Sequence, residues 1–234
     1  MRLIRFGLGL GISLALGCAG SAGGSCEELQ YEVTDAALAS TPRADADAEI
    51  VATLAAGTLT APDALYARVV DDLGAIRAHD PSLETVHARW PFGTGIYVSF
   101  DEAGTAEYQA GTYDDWDCVN ARHEGVPRES GLEDTAYIDF GDDRLNQSRL
   151  TSVYTDLAHV IVVEADLAIG DGSTICLQPG ETDNRYLFAE GGGDCPAGCT
   201  EWRYWVYRVD ASGAVSLEDE PAELPEEWAA VCYA

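Results

Sequence analysis

The alternation of apolar and polar positions divides the chain into helical and extended stretches. Thr41-Pro42 predicts a helix start, with Thr as cap and Pro at the first turn. Ile50, Val51 and Leu54 supply its apolar stripe and Gly57 its stop. Leu65, Val69, Leu73 and Ile76 recur at helical spacing, so a second helix is predicted over 61–77, with Thr60 and Asp63 approximating a capping box. A third is predicted over 146–157, with Leu150, Val153 and Leu157 inward.

Strict alternation marks strands at 85–90 (Val86, Ala88 and Trp90 on one face), 95–100 (Ile96, Val98, Phe100) and 135–140 (Ala136, Ile138, Phe140). Val160-Ile161-Val162-Val163 is a continuous apolar run, which predicts a strand covered on both faces. Further strands are expected at 174–177, 185–189, 201–210 and 214–217, divided by Gly, Pro and Asp turns such as Asp210-Ala211-Ser212-Gly213. The stretch 201–210 is apolar on both faces, as in a central strand. Helices early and hairpin-spaced strands later predict an α+β fold: a mainly antiparallel sheet with about three helices packed on it.

The N-terminus reads as an address. Arg2 and Arg5 precede an apolar run from Phe6 to Gly17, a positively charged region before a short hydrophobic one. The run is too short to span a bilayer, which takes ~20 apolar residues. Leu14-Ala15-Leu16-Gly17-Cys18 resembles the lipobox of bacterial lipoproteins. The resemblance implies cleavage before Cys18, acylation of that residue and anchoring in the cell envelope. Ala19 after the Cys, in place of Asp, points by the same resemblance to the outer membrane. Ordinary secretion, with cleavage near Ala19 or Ala22, is the alternative. The expected organisation is a signal over 1–17, a tether over 18–25 and one domain over 26–234, with a subdivision near 120–134 as the variant.

Cysteine arithmetic agrees. Of seven Cys, lipidation of Cys18 leaves six: Cys26, Cys118, Cys176, Cys195, Cys199 and Cys232. An even number in an exported chain predicts three disulfides, with connectivity left open. Cys195 and Cys199 lack the second close pair that a zinc site would want, and the four His are scattered.

Composition narrows the partners. There are 13 basic residues, all Arg, against 41 acidic ones, a net charge of −28. Nucleic acid is excluded as an expected partner, because its binding begins with neutralising phosphates. Cationic proteins, glycans or metal-bridged ligands suit such a surface better.

Catalytic frames are absent. Gly172-Ser173 lacks the surroundings of a hydrolase nucleophile elbow. His123-Glu124 is followed by Pro127, so no zincin helix continues. Gly191 to Gly193 lead into a Cys loop and not into a helix that could cradle phosphate. Carboxylates cluster at Asp114, Asp115 and Asp117 around Trp116, and again at Asp139, Asp142 and Asp143. Calcium is the ion such oxygens would take, with Asp139, Asp142, Asp143, Asp171 and Asp194 as candidate ligands; no other cofactor is expected. Trp202 and Tyr204, with Trp116, are the candidate binding aromatics.

Two local resemblances remain. Gly170 to Cys176, Tyr186-Leu187-Phe188, the loop Gly193-Asp-Cys-Pro-Ala-Gly-Cys199 and Tyr204-Trp205 together are similar to the C-terminal region of uncharacterised exported bacterial proteins. No activity is implied by that. Leu150 to Asp166 resembles the helix–strand tail of subtilase-type propeptides. The expected function is a non-catalytic binding module on the cell envelope. A secreted glycan-directed hydrolase using Asp pairs and a peptidase inhibitor are the alternatives.

Overall fold

In the computed structural model, which describes residues 43–141, 145–168 and 171–232, the chain builds two four-stranded antiparallel sheets. The predicted signal, Cys18 and Cys26 lie outside the described residues.

Helix α1 (Ala46–Ala56) is capped by Asp45, whose carboxylate accepts from Ala48 N–H at 2.9 Å. Thr41 and Pro42 lie outside the described residues. Gly57 ends α1 in the left-handed region (φ 60°), as its position in the sequence predicts. Helix α2 (Asp63–His79) starts behind Pro62 with no side-chain cap, so the predicted capping box at Thr60 does not form.

The expected strand at 85–90 is not there. A 3-10 turn covers Pro81–Thr85, and irregular chain follows. The reason lies in where its backbone groups bond. Ala88 N–H donates to Asp47 Oδ1 at 2.9 Å, and the Val86 carbonyl accepts from Arg77 Nη2 at 3.0 Å. Side chains of α1 and α2 satisfy groups that a sheet partner would otherwise take.

The next unit runs β1 (Phe92–Phe100), α3 (Glu102–Ala110), α4 (Asp114–Arg122), β2 (Val126–Glu129), β3 (Thr135–Asp139), α5 (Gln147–Thr155) and β4 (Val160–Leu167). Its strand order is β2-β3-β1-β4, with all neighbours antiparallel. This is a split βαβ arrangement with its first helix broken in two. Its core joins Ile96, Val98, Phe100, Ala136, Ile138, Leu150 and Val153 to Trp116 and Tyr154.

The chain then returns to the first unit as the meander β5 (Thr174–Pro179), β6 (Asp183–Gly192), β7 (Glu201–Asp210) and β8 (Val215–Asp219), followed by α6 (Glu226–Cys232). Ile175, Leu177, Tyr186, Phe188, Tyr207 and Val209 bury against α1 and α2. On the opposite face, Leu187 and Val206 bury under Trp228 of α6. Strand β7 is interior to its sheet, as its two apolar faces predict.

The α+β class therefore holds, with two sheets and, among the described residues, six helices where about three were expected. The additional helices are short, and the sequence marks them by caps more than by periodicity. Asp101 caps α3 through Gly104 N–H at 2.8 Å, and Gly111 closes it at φ 65°. Asp114, Asp115 and Asp117 fill the first turn of α4, where acids favour the helix dipole.

Two disulfides brace the second sheet. Cys176–Cys232 ties α6 to β5, and Cys195–Cys199 closes the loop before β7. Cys118 is also disulfide-bonded. No described helix is long and apolar enough to cross a membrane.

Candidate binding surface

Exposed apolar side chains concentrate on one unit. Of the seven large hydrophobics exposed among the described residues, Tyr97, Val126, Ile161, Val162 and Leu167 belong to strands of the β1–β4 sheet, and Leu132 lies in its β2–β3 hairpin. Three of them sit on β4, with Ile161 61%, Val162 45% and Leu167 66% exposed. The apolar run at 160–163 was expected to be covered on both faces. It lies instead at the end of the strand order, and no strand pairs with its outer side among the described residues. An irregularity between Ser99 and Phe100 sets the pairing Ser99↔Val162 and Phe100↔Val160, which leaves Ile161 outside the regular register.

The helices pack on the sheet face that carries Ile96, Val98 and Phe100. The opposite face carries Tyr97, Ser99, Tyr137, Val162 and Glu164, read from the pairings Tyr97↔Tyr137, Tyr97↔Glu164 and Ser99↔Val162. The Tyr97 and Tyr137 rings lie 4.9 Å apart, tilted by 53°. Glycine makes room for them. A Cβ on Gly95 would stand 2.5 Å from the Tyr137 ring and 2.3 Å from the Ile138 carbonyl. Tyr137 donates its hydroxyl hydrogen to Asp166 Oδ2 at 3.1 Å, and Asp166 lies over Gly93. Burial pushes the Tyr137 phenol above its ordinary value, and the Asp166 carboxylate adds to the rise against an opposing bond from Thr94.

The surface thus combines an open strand edge, exposed branched apolar side chains and carboxylates at Glu164 and Asp166. At the start of β4, His159 holds Asp101 through Nδ1 at 3.0 Å, and Asp101 N–H donates to the His159 carbonyl at 2.9 Å. This fixes the residue just before the edge strand to the cap of α3. The hydrogen bond with Asp101 raises the His159 pKa above 6.5. The Gly104 N–H, followed by His159, lowers that of Asp101 below 3.8.

The residues predicted from sequence are dispersed. Asp139 ends β3, its Oδ1 accepting from Gly141 N–H at 2.9 Å and its Oδ2 standing 3.6 Å from Arg128 Nε. Asp171 accepts from Gly172 N–H and donates its own N–H to the Cys195 carbonyl, which brings it beside the Asp194 loop of the other sheet. Asp142 and Asp143 lie outside the described residues. Among the described residues, no three His, Cys, Asp or Glu side chains converge as a metal site.

Trp116 is 1% exposed, enclosed by Phe100, Tyr108, Tyr113 and Tyr154. It is core and offers no face to a ligand. Trp202 and Tyr204 are half-buried on β7, their rings parallel within 7° and 6.0 Å apart. Tyr204 packs toward α6, while the Trp202 ring edge covers Gly191.

The β4 edge escaped the sequence reading because a continuous apolar run describes an interior strand equally well. Its one local signal was the polar alternation at Glu164 and Asp166. No protein-family model, curated protein or solved structure shows significant similarity to the chain.

Proposed function

We propose that this chain is an exported bacterial envelope protein, acylated at Cys18, that acts as a non-catalytic binding module. Its β4 edge takes up an extended, apolar and cationic segment of a partner protein as an added strand. The exposed branched apolar edge of β4 is the observation that carries this reading. Such an edge is a template for strand pairing unless it is guarded by Lys, Pro or a covering element. Strand β2, the other edge, has Pro127 and Arg128. Strand β4 has neither. Its Glu164 and Asp166, on a chain of charge −28, select a basic partner strand.

The anchor reading is supported by the cysteine count. Five Cys are in disulfides among the described residues, and Cys118 has its partner outside them. Pairing of Cys118 with Cys26 would leave Cys18 for acylation.

The test uses a soluble chain starting at Ala19 and two synthetic peptides, one alternating Val and Lys and one alternating Val and Glu. Fluorescence anisotropy should show salt-sensitive binding of the Val–Lys peptide alone, weakened at least tenfold by Val162→Lys. Absence of binding, or equal binding of both peptides, would overturn the reading.

A second reading shares the same edge. The stretch resembling a subtilase propeptide tail, Leu150 to Asp166, is the α5–β4 unit itself. Inhibition of a subtilase-type peptidase that Val162→Lys abolishes would make the added strand the peptidase's own.

A further inference from the structure

Five consecutive residues of β4, Val163 to Leu167, line a groove of about 590 Å³. Successive side chains of a strand point to opposite faces, so a hollow that touches all five runs along the margin of the strand. Among the described residues, that margin is the one with which no strand pairs.

The two sides of the groove differ in chemistry. Ser148 and Thr151 come from α5, on the helix-covered side of the sheet. Tyr97, Glu164 and Asp166 stand on the open side. Residues directly opposite each other on paired strands share a face. The residues of an added strand therefore alternate between these walls, and the one opposite Glu164 points over the open face. Tyr97 is the next side chain inward, because it pairs with Glu164 across β1 and β4. It lines the groove, keeps 39% of its surface exposed and is steadied from the β3 side by the Tyr137 ring, 4.9 Å away between centroids. Asp166 is engaged by the Tyr137 hydroxyl at 3.1 Å, which leaves Glu164 as the carboxylate nearest the incoming side chain.

Reach and charge select what fits. Neighbouring strands lie ~4.8 Å apart, so an added strand would stand ~10 Å from β1. Only a long side chain crosses that distance to the Tyr97 ring. The face of an aromatic ring attracts a cation, and Lys and Arg carry one at the end of a long stem. Resting on the strand-pairing reading, we propose that the open side of the groove is a subsite for one Lys or Arg side chain of the added strand. The cation lies on the Tyr97 ring, and Glu164 is its counter-charge. The alternate, apolar residues of that strand fall on the α5 side, beside Val163 and Ala165.

Fluorescence anisotropy with the peptide of alternating Val and Lys tests this in three forms: unmodified, with its lysines trimethylated, and with its lysines acetylated. Trimethylation keeps the charge and removes every ammonium N–H donor; acetylation removes the charge. The trimethylated peptide should bind within about threefold of the unmodified one, and the acetylated peptide at least tenfold more weakly. Tyr97→Leu should weaken the unmodified and trimethylated peptides about fivefold, whereas Tyr97→Phe, which keeps the ring, should bind both as the wild type does. A thermal melt of each variant establishes that it is folded. Undiminished binding of the unmodified peptide by a folded Tyr97→Leu chain, or trimethylation as damaging as acetylation, would overturn the subsite and leave the strand-pairing reading standing. Failure of the wild-type chain to bind the unmodified peptide would overturn both.

Discussion

Asp72 is the buried group whose removal should cost the protein most. It lies on α2, 2% exposed, between the helical hairpin and the second sheet. Its carboxylate accepts from Tyr186 Oη at 2.8 Å, Asn184 Nδ2 at 2.8 Å and Arg68 Nε at 2.8 Å. In Asp72→Ala, the Tyr186 hydroxyl and the Asn184 amide stay buried without that acceptor. A buried donor left unsatisfied costs roughly 1–3 kcal/mol. Arg68 is about one-third exposed and can turn to water, so its share is at most ~1 kcal/mol. Together these come to about 2–7 kcal/mol, which brackets the ~3–5 kcal/mol typical of breaking one side of a buried charged network. That is a large part of the ~5–15 kcal/mol that holds a domain folded. Urea unfolding followed by circular dichroism measures it. Tyr186→Phe alone removes one bond and should cost only about 1 kcal/mol. In the Asp72→Ala background the same change should cost less than that, because the donor it removes has already lost its acceptor. A loss below 1 kcal/mol for Asp72→Ala, at unchanged urea dependence, would refute this account. The network also sets an alkaline limit. Burial, and then Asp72, push the Tyr186 phenol well above 10.0. A raised folded pKa gives stability that is complete below about 10 and declines as pH rises beyond it.

Other outcomes follow from single contacts. His159 is raised above 6.5 and Asp101 lowered below 3.8, so the clamp at the start of β4 should be strongest between roughly pH 4 and 6.5. It weakens as pH rises through the His159 pKa or falls through the Asp101 pKa; NMR titration of His159 should show its pKa dropping in Asp101→Asn. Removing the Cys176–Cys232 bridge by a double Cys→Ser change should cost ~2–4 kcal/mol in the same urea assay, since it closes a separation of 56 residues. Gly95→Ala should cost ~1–3 kcal/mol by overpacking and displace Tyr137, because its Cβ would stand 2.3 Å from the Ile138 carbonyl. Thermal melts, with the Tyr137 ring signals in NMR spectra, report both effects.

Much of the local structure could be read from the chain. Asn146 caps α5 by accepting from Arg149 N–H, and the predicted helix there spans Gln147–Thr155. The strand at 201–210 and the turn after it, where Asp210 Oδ1 accepts from Ser212 and Ala214 N–H, also stand where the pattern puts them. These features are set within a few residues, by caps, turn chemistry and alternation. Two of the disulfides expected from the cysteine count are present as Cys176–Cys232 and Cys195–Cys199, but the partners had to come from the fold.

The candidate surface was not legible in the same way. Whether Val160 to Val163 is interior or edge depends on which strand lies beside it. That is fixed by the β2-β3-β1-β4 order, a matter of long-range pairing that no local pattern encodes. Trp116 looked like a binding aromatic because acids flank it, yet helix α4 turns those acids to its first turn and the ring into the core. The strand expected at 85–90 has the right alternation, but Asp47 and Arg77, distant in sequence, take its hydrogen bonds. Residues of α1, α5 and α6, distant in sequence, line one cavity of about 720 Å³. Sequence alone determined the acidity of this protein, its cysteine count and most of its elements, because these are properties of composition and short range. Tertiary structure decided which apolar residues stay outside and which strands are edges, because burial and edge position arise only when distant segments pack.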